Sequence, residues 1–235
     1  MRRLEGKLAI ITGGGKATSI GYAIASAFAA DGADLVLVGS SKRKLAEARE
    51  LERMHGIQTM PVHMPYAEAS SIEQAVVQVV ERFGRIDILV NCLQAVKVGL
   101  ISDLKVEDLE QSLQQGILAP YAWMQRCYPH LRKTKGAIIN FDSASAANGQ
   151  PAMAALATLR GGLQGLGRVA AAEWSEDGIA LETVHACAMT AQLEKLKREF
   201  PDEYEATLAS MPEKPVSVDE VGRRCVELAV NMLAR

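Results

Sequence analysis

Two groups of residues in this 235-residue chain could do chemistry. The first is a turn rich in small residues, from Gly13 to Gly21, whose glycines would let the backbone approach a pyrophosphate. The second is the pair Asp142 and Ser143, which follows an apolar run. Asp142 could act as a base or form an ion pair with Arg160. Alternatively, it is a partly solvated strand end whose charge a neighbour satisfies.

The glycine-rich turn lies within a strand–turn–helix–strand pattern. The five residues ending at Thr12 are apolar, which predicts a buried strand, and residues 22–30 have helical periodicity. A second strand is predicted over Asp34–Gly39. This order is typical of a dinucleotide-binding βαβ unit, although such a turn can also serve only to pack a helix against a strand. The pattern indicates a nucleotide-binding ancestry and leaves present binding open.

The alternation of strands and helices continues along the chain. Further strands are predicted near 58–63, 86–91, 137–141 and 179–186, and helices near 42–55, 70–83, 106–131, 152–175 and 217–233. This alternation predicts an α/β fold, a Rossmann-like doubly wound parallel sheet with helices on both faces. Residues 1–235 are expected to form a single domain. Ligands of such sheets bind beyond the carboxyl ends of the strands.

Composition and charge argue against several classes of function. The formal net charge is −2 with basic residues spread along the chain, so a nucleic-acid partner is not expected. No apolar run approaches membrane-spanning length or resembles a signal peptide, and we expect no membrane partner. The four cysteines and four histidines follow no metal-ligand spacing. We therefore expect no metal site, and free thiols in a reducing cytoplasm.

The motifs and their order resemble the short-chain dehydrogenase/reductase family. The matching segments are the Thr-Gly-rich turn, Gly84-Arg-Ile-Asp-Ile-Leu-Val-Asn91, Gly136-Ala-Ile-Ile-Asn-Phe-Asp-Ser143 and Gly161-Gly-Leu-Gln-Gly-Leu166. The ordered set covers almost the whole chain, although each piece alone is weak. The resemblance implies NAD(P) chemistry by a Tyr, a Lys four residues later, a Ser thirteen residues before the Tyr, and an upstream Asn.

One of these four catalytic positions keeps the family residue. Ser143 matches the Ser, but Leu156 stands at the Tyr position, Arg160 at the Lys position and Gly116 at the Asn position. Leucine cannot transfer a proton, a contribution worth roughly 10²–10⁴-fold in rate. The resemblance therefore implies that these four positions are vestigial and that the chain has no confident catalytic residue.

The cofactor positions also depart from the family pattern. The glycine-rich turn is longer than usual in the family. The candidates for cofactor contact in this turn are Gly13, Gly15, Ile20 and Gly21. Two further candidates are Asn91 and Thr190. Gly39-Ser40-Ser41 stands where the family selects NAD or NADP, Pro65 replaces an adenine-binding Asp, and Cys92-Leu93-Gln94 replaces Asn-Ala-Gly. Lys42 or Arg43 could meet a 2′-phosphate, or could form a solvated helix start. Together these departures argue against NAD(P) binding by this chain.

The helices near 106–131 and 152–175 correspond to those that pair subunits in this family. The second carries glycines at 161, 162, 165 and 167, which suit close approach of another backbone or reflect drift. The lost residues resemble those of non-catalytic subunits of NAD-dependent hydroxyacyl-CoA dehydrogenases. We therefore expect a dimer or tetramer with an active paralogue. Two alternatives remain: an active NAD(P)-dependent oxidoreductase using Asp142, Ser143 and Arg160, or a nucleotide-sensing regulator.

Two further features concern the second half of the chain. The charged stretch Glu194–Glu205 stands where the family keeps its substrate lid, and we expect a solvated pair of helices there. The family's last edge strand has no counterpart before Arg235. The edge of the strand near 179–186 would then be unpaired unless a partner or another segment covers it.

Overall fold

The computed structural model of the chain describes residues 2–13, 19–40, 42–65, 68–92, 96–143, 149, 151–211 and 213–235. At residues 42–47, 143, 192 and 210 it describes the backbone alone. All structural statements below concern these residues.

The strands and helices alternate as the sequence predicts. The strands are β1 (Leu8–Thr12), β2 (Asp34–Gly39), β3 (Thr59–His63), β4 (Ile88–Asn91), β5 (Ala137–Ser143), β6 (Ala180–Ala186), β7 (Ala188–Met189) and β8 (Val216–Ser217). The helices are α1 (Ile20–Ala30), α2 (Lys42–His55), α3 (Ala69–Phe83), α4 (Val106–Leu113), α5 (Ala119–Thr134), α6 (Ala154–Trp174), α7 (Ala191–Glu199), α8 (Pro201–Ser210) and α9 (Val218–Leu233).

Six of the strands form one parallel sheet in the order β3-β2-β1-β4-β5-β6. The order reverses between β1 and β4, which is the switch point at which such sheets bind ligands. The short strands β7 and β8 pair separately. The predicted doubly wound α/β fold is confirmed.

Two apolar layers cover the faces of the sheet. One contains Ile11, Phe28, Leu37 and Phe141 and is closed by α1 and α9. The other contains residues of α3 and α5, with Trp123 only 1% exposed. Because both faces are buried, the central strands are apolar along their whole length rather than alternating.

One predicted helix differs from the structure in its interior. The helix expected over 106–131 runs from 106 to 134, and residues Gln114–Leu118 form a π-helical turn between α4 and α5. A π-helical turn inserts an extra residue into the helix, and such turns often occur at functional sites. The expected pair of helices over 194–205 is present as α7 and α8.

None of the helices in the described part of the chain is both long enough and apolar enough to cross a membrane.

Candidate active site

The candidate site lies where β4, β5 and β6 end and the start of α6 crosses the sheet. Asn91 ends β4, Asp142 and Ser143 end β5, and the register pairs these last two with His185 and Ala186 of β6. Parallel strands in register bring their carboxyl ends to the same edge of the sheet. The fold therefore assembles the predicted site residues of β4 and β5 at one place.

Helix α6 presents Leu156 and Arg160 to this region. Leu156 is buried, at 8% exposure, so an apolar side chain stands at the position where the family has a phenol. Arg160 lies one helical turn later, and its Nε is 3.7 Å from Asp142 Oδ2. The ion pair between Asp142 and Arg160, one of the sequence-based alternatives, is confirmed.

Three nitrogen atoms converge on the Asp142 carboxylate, whose side chain is 1% exposed. Besides Arg160, His185 Nδ1 lies 3.2 Å from Asp142 Oδ2, and Gln164 Nε2 donates to the same oxygen at 3.3 Å. A buried carboxylate is tolerated only when it is paired and hydrogen-bonded. These contacts tie α6 to β5 and β6, and the carboxylate is engaged rather than free.

His185 and Gln164 were missed by the sequence analysis. The signal for Gln164 is its spacing, because it follows Arg160 by four residues and so faces the same way on the helix. The signal for His185 is the parallel register of β5 and β6, which pairs it with Asp142. Sequence spacing alone does not fix that register.

Gly116 lies in the π-helical turn and is buried. A Cβ added at Gly116 would stand 2.5 Å from Leu159 Cδ1. The Leu159 side chain therefore occupies the space next to the position where the family places an asparagine. A side chain at residue 116 therefore requires the Leu159 side chain to move.

The described part of the glycine-rich turn has the geometry of a strand-to-helix junction. Gly13 has φ +80°, a conformation that favours glycine, and its N–H donates to Val38 O at 2.9 Å. Helix α1 begins at Ile20, and its first turn is capped by Ser19, whose hydroxyl accepts from the Tyr22 N–H. Gly21 is buried. Gly15 lies outside the described residues.

Asn91 is buried at the end of β4. Its Nδ2 donates to Asn140 Oδ1 at 2.9 Å, while its own Oδ1 has no hydrogen-bond partner among the described residues. The next residue, Cys92, donates its N–H to the Thr12 hydroxyl. Burial raises the pKa of the Cys92 thiol to about 12, so this sulfur stays protonated near neutral pH. Buried Asn91 is thus held by Asn140 at the switch point, and half-buried Cys92 follows it.

Thr190 is the N-cap of α7, and its hydroxyl accepts the Leu193 N–H at 3.3 Å. The side chains of Ser143, Lys42 and Arg43 lie outside the description, as do Leu93 and Gln94. Among the described residues, no group of three or more His, Cys, Asp or Glu side chains is placed to hold a metal ion.

The described residues of α6 do not match the set that the family uses at the nicotinamide half of NAD(P). The βαβ framework with Gly13 and buried Gly21 suits a nucleotide. On α6, however, buried Leu156 offers no hydroxyl, and the Arg160 guanidinium faces Asp142. The described side chains therefore supply neither the acid/base group nor the ammonium that the family uses at the nicotinamide ribose.

Comparison with known proteins supports the assignment of the fold and the family. Residues 14–234 match the family described as enoyl-(acyl carrier protein) reductase. The chain is 42% identical over 232 residues, 95% of this chain and 90% of the relative, to the 12α-hydroxysteroid dehydrogenase of Clostridium sp.. It is 31% identical to the (2S)-[(R)-hydroxy(phenyl)methyl]succinyl-CoA dehydrogenase subunit BbsC of Thauera aromatica, over 77% of this chain and 71% of the relative.

A solved structure gives the same result. The short chain dehydrogenase of Burkholderia cenocepacia, solved in complex with NADP, superposes with a TM-score of 0.83 at 27% identity, over 97% of this chain and 91% of that one. The order of the strands, the turn between β1 and α1 and these matches all indicate the same family. The chain belongs to the short-chain dehydrogenase/reductase family, a family of oxidoreductases.

Proposed function

We propose that this chain is a subunit without hydride-transfer activity of its own, which assembles with an active short-chain dehydrogenase/reductase and stabilises it. The proposal rests on one observation: buried Leu156 and the paired Arg160 occupy the positions at which the family requires a phenol and an ammonium. A positioned acid/base group contributes roughly 10²–10⁴-fold in rate. The chain keeps the fold of the family. In place of the phenol and the ammonium it has a buried leucine and an arginine in an ion pair.

The proposed reaction of the complex is the NAD-dependent oxidation of a hydroxyacyl-CoA, of the 2-[hydroxy(phenyl)methyl]succinyl-CoA type. Support comes from the relative BbsC, which is named as a subunit of a dehydrogenase for that compound. In this proposal the active paralogue carries the chemistry and the bound NAD. This chain contributes a surface.

The proposed contact surface consists of α5, the π-helical turn before it and α6. Leu118, Tyr121 and Val169 are 53%, 48% and 55% exposed, which leaves apolar area facing solvent. On α6, a Cβ added at Gly161 or Gly165 would have no other heavy atom within 4 Å. Open glycines on a helix surface allow a partner helix to approach closely, which compensates for their cost of roughly 1 kcal/mol each.

Co-expression tests this proposal. The chain is produced together with a short-chain dehydrogenase/reductase of the same organism that keeps the catalytic Tyr and Lys, and the mass and composition of the purified complex are measured. We expect a mixed oligomer that is lost in the variant Gly165→Arg and retained in Glu81→Arg, an exposed position on α3. Recovery of homo-oligomers alone would overturn the proposal.

A second candidate function is an active NAD(P)-dependent oxidoreductase that uses Asp142, Ser143 and Arg160. The 42% identity to a protein named 12α-hydroxysteroid dehydrogenase favours it and suggests a hydroxysteroid as the first substrate to test. The contacts of Asp142 with His185 and Gln164 argue against it, because a base must be able to reach the substrate proton. Turnover that disappears in Ser143→Ala would establish this alternative.

A further inference from the structure

The helices α7 and α8 form a lobe, residues 190–211, that leaves the body of the protein and returns to it at one place. The chain enters the lobe from the end of β6, where Ala186 is in register with Ser143 of β5. The lobe therefore starts at the same edge of the sheet as the candidate site. Among the described residues, α8 packs extensively against α7 alone, and α7 adds a smaller contact with β7. The position of the lobe thus depends on how its two ends are held.

Cys187 joins these two ends. It follows β6 directly and is 5% exposed. Its thiol is placed to donate to the Glu213 carbonyl at 3.1 Å, and its Sγ lies 3.6 Å from Met211 Sδ. Its own carbonyl accepts the Val216 N–H at 3.1 Å. One residue before the lobe therefore contacts three residues where the lobe ends.

The backbone contacts beside Cys187 are few. The ladder of β7 and β8 is two residues long and pairs Ala188 with Val216. Thr190, the N-cap of α7, donates its N–H to Ala188 O at 2.9 Å. A ladder of this length is marginal by itself, because isolated pairs of short strands are barely stable in water. The side-chain contacts of Cys187 therefore add to a weak junction.

We propose that the Cys187 side chain anchors the base of the α7–α8 lobe and keeps the lobe in one position at the carboxyl edge of the sheet. Burial and the nearby Glu213 carboxylate raise the pKa of the Cys187 thiol, so the sulfur stays a protonated donor near neutral pH. A lid has to move in order to admit and release a substrate. The anchor opposes that motion, and the lobe acts as a fixed part of the surface.

The anchor is separate from the surface proposed for the active paralogue. That surface consists of α5, α6 and the π-helical turn, whereas Cys187 and its partners Met211, Glu213 and Val216 lie at the base of the lobe. The inference therefore goes beyond the proposed function. Its failure would leave the mixed oligomer untouched, because assembly is measured in a different experiment.

Hydrogen exchange of the Val216 amide in the full-length chain, followed by nuclear magnetic resonance, tests the inference. Cys187→Ala removes the thiol and keeps the carbonyl that accepts from Val216. We expect the amide to exchange about 2–5-fold faster, the order of effect for the loss of one weak hydrogen bond. Cys187→Ser keeps a donor and should stay within about twofold of the wild type. The control Cys127→Ala, which removes a buried thiol on α5, should leave the rate unchanged.

Three results would overturn the inference. The first is equal exchange of the Val216 amide in the wild type and Cys187→Ala. The second is the same acceleration in Cys127→Ala. The third is exchange in the wild type at the rate of an unstructured peptide.

Alkylation of the thiol tests the anchor even where substitutions at Cys187 prevent folding. Met211→Ala leaves Cys187 intact and removes the sulfur that lies 3.6 Å from it. Opening of the base exposes the thiol, so Cys187 should react with iodoacetamide about 2–5-fold faster than in the wild type. The reaction of buried Cys127 should keep its rate. An unchanged rate at Cys187, or a parallel rise at Cys127, would contradict the anchor.

Discussion

At the scale of single residues, Asp142 defines the site. Its carboxylate is buried, and Arg160, Gln164 and His185 all place a nitrogen within 3.7 Å of one oxygen. In a low-dielectric surrounding, each of these contacts is stronger than at the surface, and an unpaired charge would be costly. The same residue that could have acted as a base therefore holds α6 against β5 and β6.

Replacing Asp142 tests this structural role. Asp142→Ala leaves the cationic Arg160 without its buried partner, and we expect a loss of about 1–3 kcal/mol in the free energy of unfolding. We expect a smaller loss than for a fully buried pair because Arg160 and His185 are partly exposed and can regain water. Urea unfolding followed by circular dichroism measures the change. The exposed control Glu81→Ala should change it by less than about 0.5 kcal/mol, and an equal effect of the two substitutions would contradict the role.

At the scale of elements, α6 carries two kinds of glycine. Gly161 and Gly165 face open space, whereas Gly162 lies against the Ile117 side chain and Gly167 against Thr183. A Cβ at Gly167 would stand 2.6 Å from Thr183 Oγ1. Gly162 and Gly167 allow α6 to pack closely against the π-helical turn and β6. Gly161 and Gly165 leave the outer surface of α6 without side chains.

Alanine substitution distinguishes the two kinds. Gly161→Ala should stabilise the isolated chain by about 0.5–1 kcal/mol, because alanine has the higher helix propensity and nothing obstructs its methyl group. Gly167→Ala should destabilise it by about 1–3 kcal/mol, because the methyl group collides with Thr183. Thermal unfolding of both variants provides the comparison. Effects of the same sign would show that the packing of α6 has been misjudged.

The sequence predicted elements and positions better than side-chain contacts. The bounds of β1, β2 and α2 follow from apolar runs, Gly39 and His55, and the structure has them where the pattern placed them. The contact of His185 with Asp142 depends on the register of two strands that are far apart in sequence. The approach of Leu159 on α6 to Gly116 in the π-helical turn joins residues far apart in sequence, which local patterns do not encode.

At the scale of the whole molecule, the start of the chain ties distant elements together. The Arg3 guanidinium donates to Asp31, which follows α1, and to Glu227 on α9. Burial raises the pKa of the Asp31 carboxyl, but the hydrogen bonds from Arg3 outweigh it and hold that pKa below its ordinary value of 3.8. The lowered pKa means that folding favours the ionised carboxylate.

The pH dependence of stability follows from this direction. When folding lowers the pKa of a carboxyl group, the group stabilises the protein at pH values above its pKa in the unfolded chain. This contribution is lost as the pH falls through the pKa that the group has in the folded protein. The stability difference between wild type and Asp31→Asn should therefore be full at neutral pH and shrink as the pH falls below 3.8. Urea unfolding at a series of pH values measures it. The exposed control Asp103→Asn should show little difference at any pH, and a gap that widens in acid would contradict the ion pair.

Hydride transfer by the purified chain tests the central claim most directly. The chain is incubated without a partner, with NAD⁺ and NADP⁺ in turn, and with a hydroxysteroid and a hydroxyacyl-CoA as substrates, while the reduced nicotinamide is followed by its absorbance. With Leu156 and Arg160 in place of the proton-transferring pair, we predict no turnover above that of a heat-denatured sample. Turnover by the wild-type chain that is abolished in Ser143→Ala would contradict the account.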